Sequence, residues 1–204
     1  RLHALGIENI DLLILTHTHY DHAENASRIK EKFGAKVIVH QFEAEFLARG
    51  ESPLPRGTRS YSKFISRLAT RKIQRFFRFQ PCMPDFAIDD NYSLAAYGMS
   101  AYLIHTPGHS NGSLSLLVDN EIGLVGDCMF GVFRKTVFPP FAEDPEVLMH
   151  SWKKLLDTGC SLFYLRMAGK KAGINYLQIS KRESKCEIKH FIRGLMSKIN
   201  SIIL

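Results

Sequence analysis

The stretch His17-Thr18-His19-Tyr20-Asp21-His22 sets three imidazoles and a carboxylate within six residues of a chain that has nine histidines in all. Two histidines separated by one residue, just past a strand, can turn their rings the same way, because side chains alternate with period two. Neutral imidazole and carboxylate suit zinc and related divalent ions. The bland alternative is a polar loop of hydrogen-bonded histidines, which leaves this density of ligand types unexplained. Two later segments carry the same chemistry. His105-Thr106-Pro107-Gly108-His109-Ser110-Asn111-Gly112-Ser113 holds His109 at the corner of a Pro-Gly turn. Gly126-Asp127-Cys128-Met129-Phe130 sets Asp127 at the end of an apolar run. Each is weak alone, since turn histidines are commonly surface residues and strand-end carboxylates commonly begin loops.

Elements of the right kind surround these residues. Residues 10–15 form a continuous apolar run of strand length, and residues 23–33 have helical spacing with Ala26, Ile29 and Phe33 on one face. Gly34 ends that helix, and residues 35–40 read as a strand, which makes a βαβ-like unit. Residues 41–50 look helical, 52–57 form a Pro/Gly loop, and 60–79 read as an amphipathic helix. On that helix Phe64, Ile65, Leu68, Ala69, Ile73 and Phe76 make one face, and Lys63, Arg67, Arg71, Arg75 and Arg78 the other. Short strands are expected at 92–96, 100–105, 113–118 and 122–125, with Asp119-Asn120 as a hairpin corner. A helix over 145–156 and a strand over 161–164 complete the pattern.

Together, the three ligand-bearing segments and their order resemble the metallo-β-lactamase superfamily of metal-dependent hydrolases. The likeness covers residues 10 to about 164. It implies an α/β fold, the αβ/βα four-layer sandwich of that superfamily, with a binuclear metal site at one edge. By resemblance, His17, His19 and His109 hold a first metal, Asp21 and His22 a second, and Asp127 bridges the two. Asp21 would also help orient the nucleophile. Ligating imidazoles need an acceptor on the far nitrogen, for which Thr16, Thr18 and Ser110 are the candidates. The position of Asp127 matches the glyoxalase-II-like and lactonase-like branches. The di-iron, oxygen-reducing branch usually has glutamate where His19 stands, so the expected cofactor is Zn2+, one or two per chain. A bound divalent ion lowers the pKa of its water from about 15.7 to about 7, so a hydroxide nucleophile exists at neutral pH. The implied reaction is hydrolysis of an ester, thioester or lactone, and the implied partner is a small-molecule substrate.

The chain departs from the superfamily pattern in two places. Several strands normally precede the histidine cluster, which here begins at residue 17, so the fold is expected to lack its first strands. The superfamily also carries a histidine in a Pro-x-His-Gly turn after the last strand, where this chain has Ala168 in Tyr164-Leu165-Arg166-Met167-Ala168-Gly169. A single-base deletion in a Tyr-Pro-Ala-His-Gly coding sequence yields that run, so residues 165–204 are read as a basic tail, either genuine or translated out of frame. The expected organisation is a domain over 1–164, a basic helical insertion at about 41–84 and this tail. The expected consequence is a weakened second metal site. His150 and His190 are poor substitutes, because neither sits in a comparable strand-end turn.

Charge and composition narrow the partners. The net charge is +7, but residues 52–84 hold eight Lys/Arg and no Asp/Glu, and residues 165–204 nine Lys/Arg and two Glu. The remainder is acidic, so overall basicity is a poor argument for nucleic acid, and none is expected as a partner. The basic helix is expected to cover the site, with an acidic substrate or an anionic membrane surface as the other readings. No transmembrane segment is expected, since no apolar run reaches the roughly 18–20 residues of a span, and residues 1–8 read as no signal peptide. Cys82, Cys128, Cys160 and Cys186 form no CxxC pair and are expected to be reduced core thiols in a cytoplasmic protein. The competing functions are a remnant that keeps only the first metal and a superfamily nuclease acting on phosphodiesters.

Overall fold

The structure is a computed structural model that describes residues 6–54, 56–68, 75–131, 137–165, 175–178 and 202–203. The strands are β1 (Leu12–Ile14), β2 (Lys36–His40), β3 (Phe86–Ile88), β4 (Tyr92–Ser93), β5 (Ala101–His105), β6 (Leu114–Val118), β7 (Ile122–Leu124), β8 (Leu162–Leu165), β9 (Asn175–Gln178) and β10 (Ile202–Ile203). The α-helices are α1 (Tyr20–Ala23), α2 (Ala26–Phe33), α3 (Gln41–Arg49), α4 (Ser60–Leu68) and α5 (Pro145–Asp157).

Period-two alternation builds four layers from these elements. Leu12, Ile14 and Ile38 point from β1 and β2 towards Leu103, Leu114, Leu116 and Leu162 of the second sheet, and these fill the space between the sheets. The intervening residues Leu13, Val37 and Val39 point the other way, against Ala23, Ala26 and Leu47 of the helices α1 to α3. In the second sheet Ile104, Leu117 and Phe163 turn outward onto Leu148 and Leu155 of α5. The layers are therefore helices, sheet, sheet, helix, which is the sandwich the resemblance implied.

The first sheet runs β10-β1-β2-β3 with parallel pairings, and the second runs β4-β5-β6-β7-β8-β9. In the second sheet β7 and β8 are parallel and the other neighbours antiparallel. β10 lies beside β1, at the edge of the first sheet.

Local chemistry explains most boundaries. Gly34 and Gly50 end α2 and α3 in the left-handed conformation. Asp144 caps α5, its carboxylate accepting from the backbone N–H of Glu146 and Val147, with Pro145 at the first helical position. Asp119 and Asn120 both have positive φ, 54° and 56°, the primed-turn geometry of a tight hairpin between β6 and β7.

The structure differs from expectation in three places. The strand expected over 92–96 is two residues long and gives way to a 3-10 turn at Ala95–Tyr97, while β3 has no counterpart in the sequence pattern. The helix expected over 60–79 is described as α4 over Ser60–Leu68 and a 3-10 turn at Arg75–Phe77. Its apolar residues Phe64, Ile65 and Leu68 face solvent instead of a core.

Cys82, Cys128 and Cys160 are free and buried; Cys186, Ala168 and His190 lie outside the described residues. Burial pushes the Cys128 thiol up to about 12, which makes it an inert core group. Among the described residues no helix is long and apolar enough to cross a membrane.

Candidate metal centre

The first ligand group hangs from the end of β1. Thr16, His17 and Thr18 continue the chain past that strand, and His19 precedes the short helix α1 in extended conformation. His17 and His19 are almost fully buried, at 1% and 8% exposure. His109 comes from the other sheet, in the turn between β5 and β6, and is equally buried. Asp127 follows β7 in a 3-10 turn. A backbone bond from Leu114 N–H to the Thr16 carbonyl, 2.8 Å, ties the two sheets together beside these loops.

These residues converge. Ligand atoms of His17, His19 and His109 all lie within 4.8 Å of one another, as do those of His17, His22 and Asp127. His109 Nε2 is 3.0 Å from His19 Nδ1, and His22 Nε2 is 3.3 Å from Asp127 Oδ1. A tetrahedral zinc site with Zn–N of about 2.0–2.1 Å sets its nitrogens roughly 3.3 Å apart. The donor set and its spacing fit such an ion. Asp21 is placed differently. It lies in the first turn of α1, exposed to solvent, and belongs to neither cluster.

The far nitrogens of three of these rings have partners too, which fixes their orientation. His109 Nδ1 donates to the Phe141 carbonyl at 2.9 Å, leaving Nε2 for a ligand. Burial pushes the His109 imidazole below its ordinary value, towards the neutral form that binds metal. Thr16 Oγ1 lies 3.1 Å from His17 Nδ1 and 3.5 Å from His22 Nδ1, so one hydroxyl serves both clusters. Of the three candidate orienting groups, Thr16 thus acts directly, whereas Thr18 and Ser110 act through another residue.

That residue is Glu43, to which no sequence motif points. It sits on α3 at 2% exposure and reaches between the two histidine loops. Its Oε2 accepts from the Thr18 backbone N–H at 3.0 Å and from the Thr18 hydroxyl. Its Oε1 accepts from the Ser110 hydroxyl at 2.6 Å and the Gly112 N–H at 3.2 Å. One carboxylate oxygen therefore holds each loop. Glu143 lies close by, its N–H bonded to the His109 carbonyl at 3.1 Å. Burial, followed by the neighbouring Glu43 charge, pushes the Glu143 carboxyl above the usual range.

The turn that carries His109 depends on Gly108, whose φ is +123°. A Cβ there would stand 2.4 Å from the backbone nitrogen of Leu148 on α5, which cannot give way cheaply. Gly108→Ala is expected to cost about 2–5 kcal/mol, combining a strained φ with overpacking. A denaturation midpoint indistinguishable from that of the starting protein would refute this.

His105, outside the motif, stays outside the site. Its Nε2 meets the Asn111 carbonyl at 2.8 Å, and its ring stacks on His40 with centroids 3.9 Å apart.

Comparison with known proteins agrees with this geometry. The model of the metallo-beta-lactamase superfamily matches residues 1–159. A probable metallo-hydrolase of Methanocaldococcus jannaschii is 31% identical over 125 residues, 61% of this chain and 52% of that protein. A human acyl-coenzyme A thioesterase is 30% identical over 120 residues, covering 58% of this chain and 41% of the relative. The chain thus spans about half the length, or less, of these curated relatives. Among solved structures, an archaeal superfamily protein from Sulfolobus tokodaii superposes with a TM-score of 0.56 at 19% identity, over 97% of this chain and 81% of that one. A second, solved in a di-iron-bound form, gives 0.53 at 19% identity over 82% and 72%. With the family model matching most of its length and the histidine loops meeting between two sheets, the chain belongs to the metallo-beta-lactamase superfamily.

Proposed function

We propose that this protein is a zinc-dependent hydrolase of an ester, thioester or lactone. The observation that carries the reading is the convergence of His17, His19 and His109, with His22 and Asp127 beside them. In this reading the three buried imidazoles hold the first ion. His22 and Asp127 contribute to a weaker second position, with Asp21 at its solvent side. A divalent ion bound there supplies Lewis acidity and a water acidic enough to be deprotonated near neutral pH. The chain's own part is to orient and to exclude solvent. Thr16 and the Phe141 carbonyl fix the rings, Glu43 holds both loops, and the buried walls keep bulk water from the first cluster. The named activities of relatives support the class of bond. One is the thioesterase described above, and another is a hydroxyacylglutathione hydrolase of Haemophilus influenzae, 25% identical over 136 residues, 64% of this chain and 56% of that enzyme.

The test is metal analysis of purified protein together with a panel of ester, thioester, lactone and phosphodiester substrates. About one tightly bound zinc per chain is expected, with hydrolysis of a carbonyl substrate that chelation removes and zinc restores. Metal without turnover would make the chain a remnant binding module. Turnover confined to phosphodiesters would make it a nuclease.

A further inference from the structure

The basic segment presents its apolar side outward. Tyr61, Phe64, Ile65 and Leu68 recur at helical spacing on α4 and are 47%, 64%, 53% and 56% exposed. The side of α4 turned to the protein is the hydroxyl side. Ser62 is the buried residue of this helix, its Oγ bonded to the backbone of Arg59, and Ser66 Oγ accepts from the Gly57 N–H at 3.3 Å. An amphipathic helix ordinarily buries its apolar stripe; here the order is inverted. Phe76, in the turn that follows, is 83% exposed. Contiguous exposed apolar surface of this kind marks an interaction site.

Charge selects the partner. Lys63 and Arg67 are exposed on the same helix, and residues 52–84 contain eight Lys/Arg with no acidic residue. A second copy would bring the same cations face to face. Nucleic acid would satisfy the cations but offers no apolar phase for Phe64, Ile65 and Leu68. A lipid surface with anionic headgroups over hydrocarbon satisfies both at once.

The position of the segment gives the surface a use. At one end Thr58 bonds the Pro140 carbonyl, 3.0 Å, through its N–H and the Pro139 carbonyl, 2.8 Å, through its hydroxyl. The next residue, Phe141, supplies the carbonyl that orients His109. At the other end the Phe77 ring meets Tyr20 edge-on, centroids 6.0 Å apart, and Tyr20 lies between His19 and Asp21 in the chain.

We infer that α4 and the Arg75–Phe77 turn form an in-plane anchor for an anionic membrane surface, braced against both walls of the metal centre. The anchor rests on surface composition and exposure alone, so it stands or falls separately from the hydrolase reading.

The experiment is sedimentation of the full chain with phosphatidylcholine vesicles, with and without phosphatidylserine. The protein is expected to bind the phosphatidylserine vesicles and to release them at high salt. Each cation near such a surface contributes about fivefold in affinity, so Lys63→Glu with Arg67→Glu should weaken binding by at least roughly twenty-five-fold. Phe64→Asp with Leu68→Asp should abolish it. All four positions are exposed, and an unchanged circular-dichroism spectrum and thermal midpoint would show that the variants fold. The inference is overturned by failure of the starting protein to bind anionic vesicles, or by retained binding in the Asp variant. A dimer lost in that variant without lipid binding would assign the face to a second copy. Retention on DNA or RNA with no lipid binding would assign it to nucleic acid.

Discussion

His19→Ala is expected to remove the bound metal, while His105→Ala leaves it in place. His19 Nδ1 lies 3.0 Å from His109 Nε2, within a buried cluster in which, among the described residues, these imidazoles and His17 are the ligands grouped for a first ion. Structural zinc sites with four protein ligands are worth about 10–16 kcal/mol, so one lost ligand costs on the order of 3 kcal/mol, at least a hundredfold in affinity. A site that starts with three histidines cannot absorb that loss and still copurify with its ion. His105 is a demanding control. It sits one turn away in sequence, on β5, and its ring is engaged by His40 and the Asn111 carbonyl. Its removal should lower stability modestly and spare metal content. Zinc at full stoichiometry in His19→Ala, measured by elemental mass spectrometry, would show that the ion sits elsewhere.

Glu43→Ala should be nearly as damaging, although this residue acts on the ligands only through the loops that carry them. Without its carboxylate, the buried N–H groups of Thr18 and Gly112 lose their acceptor together with two hydroxyls. An unsatisfied buried donor costs about 1–3 kcal/mol, so a loss of about 2–5 kcal/mol in stability is expected. Residues that orient ligands typically contribute 10–100-fold to metal affinity, and zinc titration should reveal a drop of roughly that size. Glu43→Gln separates charge from shape. An amide has one acceptor oxygen, so whichever way it turns, its NH2 faces either the Thr18 or the Gly112 N–H. The glutamine variant should therefore recover only part of the affinity. Glu45, two residues on, supplies the comparison: its exposed ion pair with Arg49 is worth at most a few tenths of a kcal/mol. If Glu43→Ala titrates with zinc like the starting protein, the carboxylate is not what holds the loops.

Ligand types packed within six residues make the loop from His17 to His22 legible from the amino-acid sequence alone. The alternation of Leu12, Leu13 and Ile14, and the Asp119-Asn120 corner, make the sheets legible for the same reason: their physics is local. Glu43 is hidden because its partners are 25, 67 and 69 residues away, and a glutamate on a helix is ordinarily a solvated one. β3 is hidden likewise, since three residues pairing in parallel with β2 across almost fifty positions leave no short-range signal. The stripe on α4 shows a different limit. Spacing reveals that Phe64, Ile65 and Leu68 share a face, but not whether that face meets a core or the outside.

His17 and His19 belong to one sheet of the sandwich, and His109 and Asp127 to the other. The site is thus a gauge of how the two sheets are docked. A shear of one against the other by a fraction of an ångström would change every distance between ligands drawn from opposite sides, and what resists it is the close packing of residues such as Leu116 and Ile38 in the layer between them. The stiffness of the inner layer therefore sets how tightly the fold can define its own chemistry.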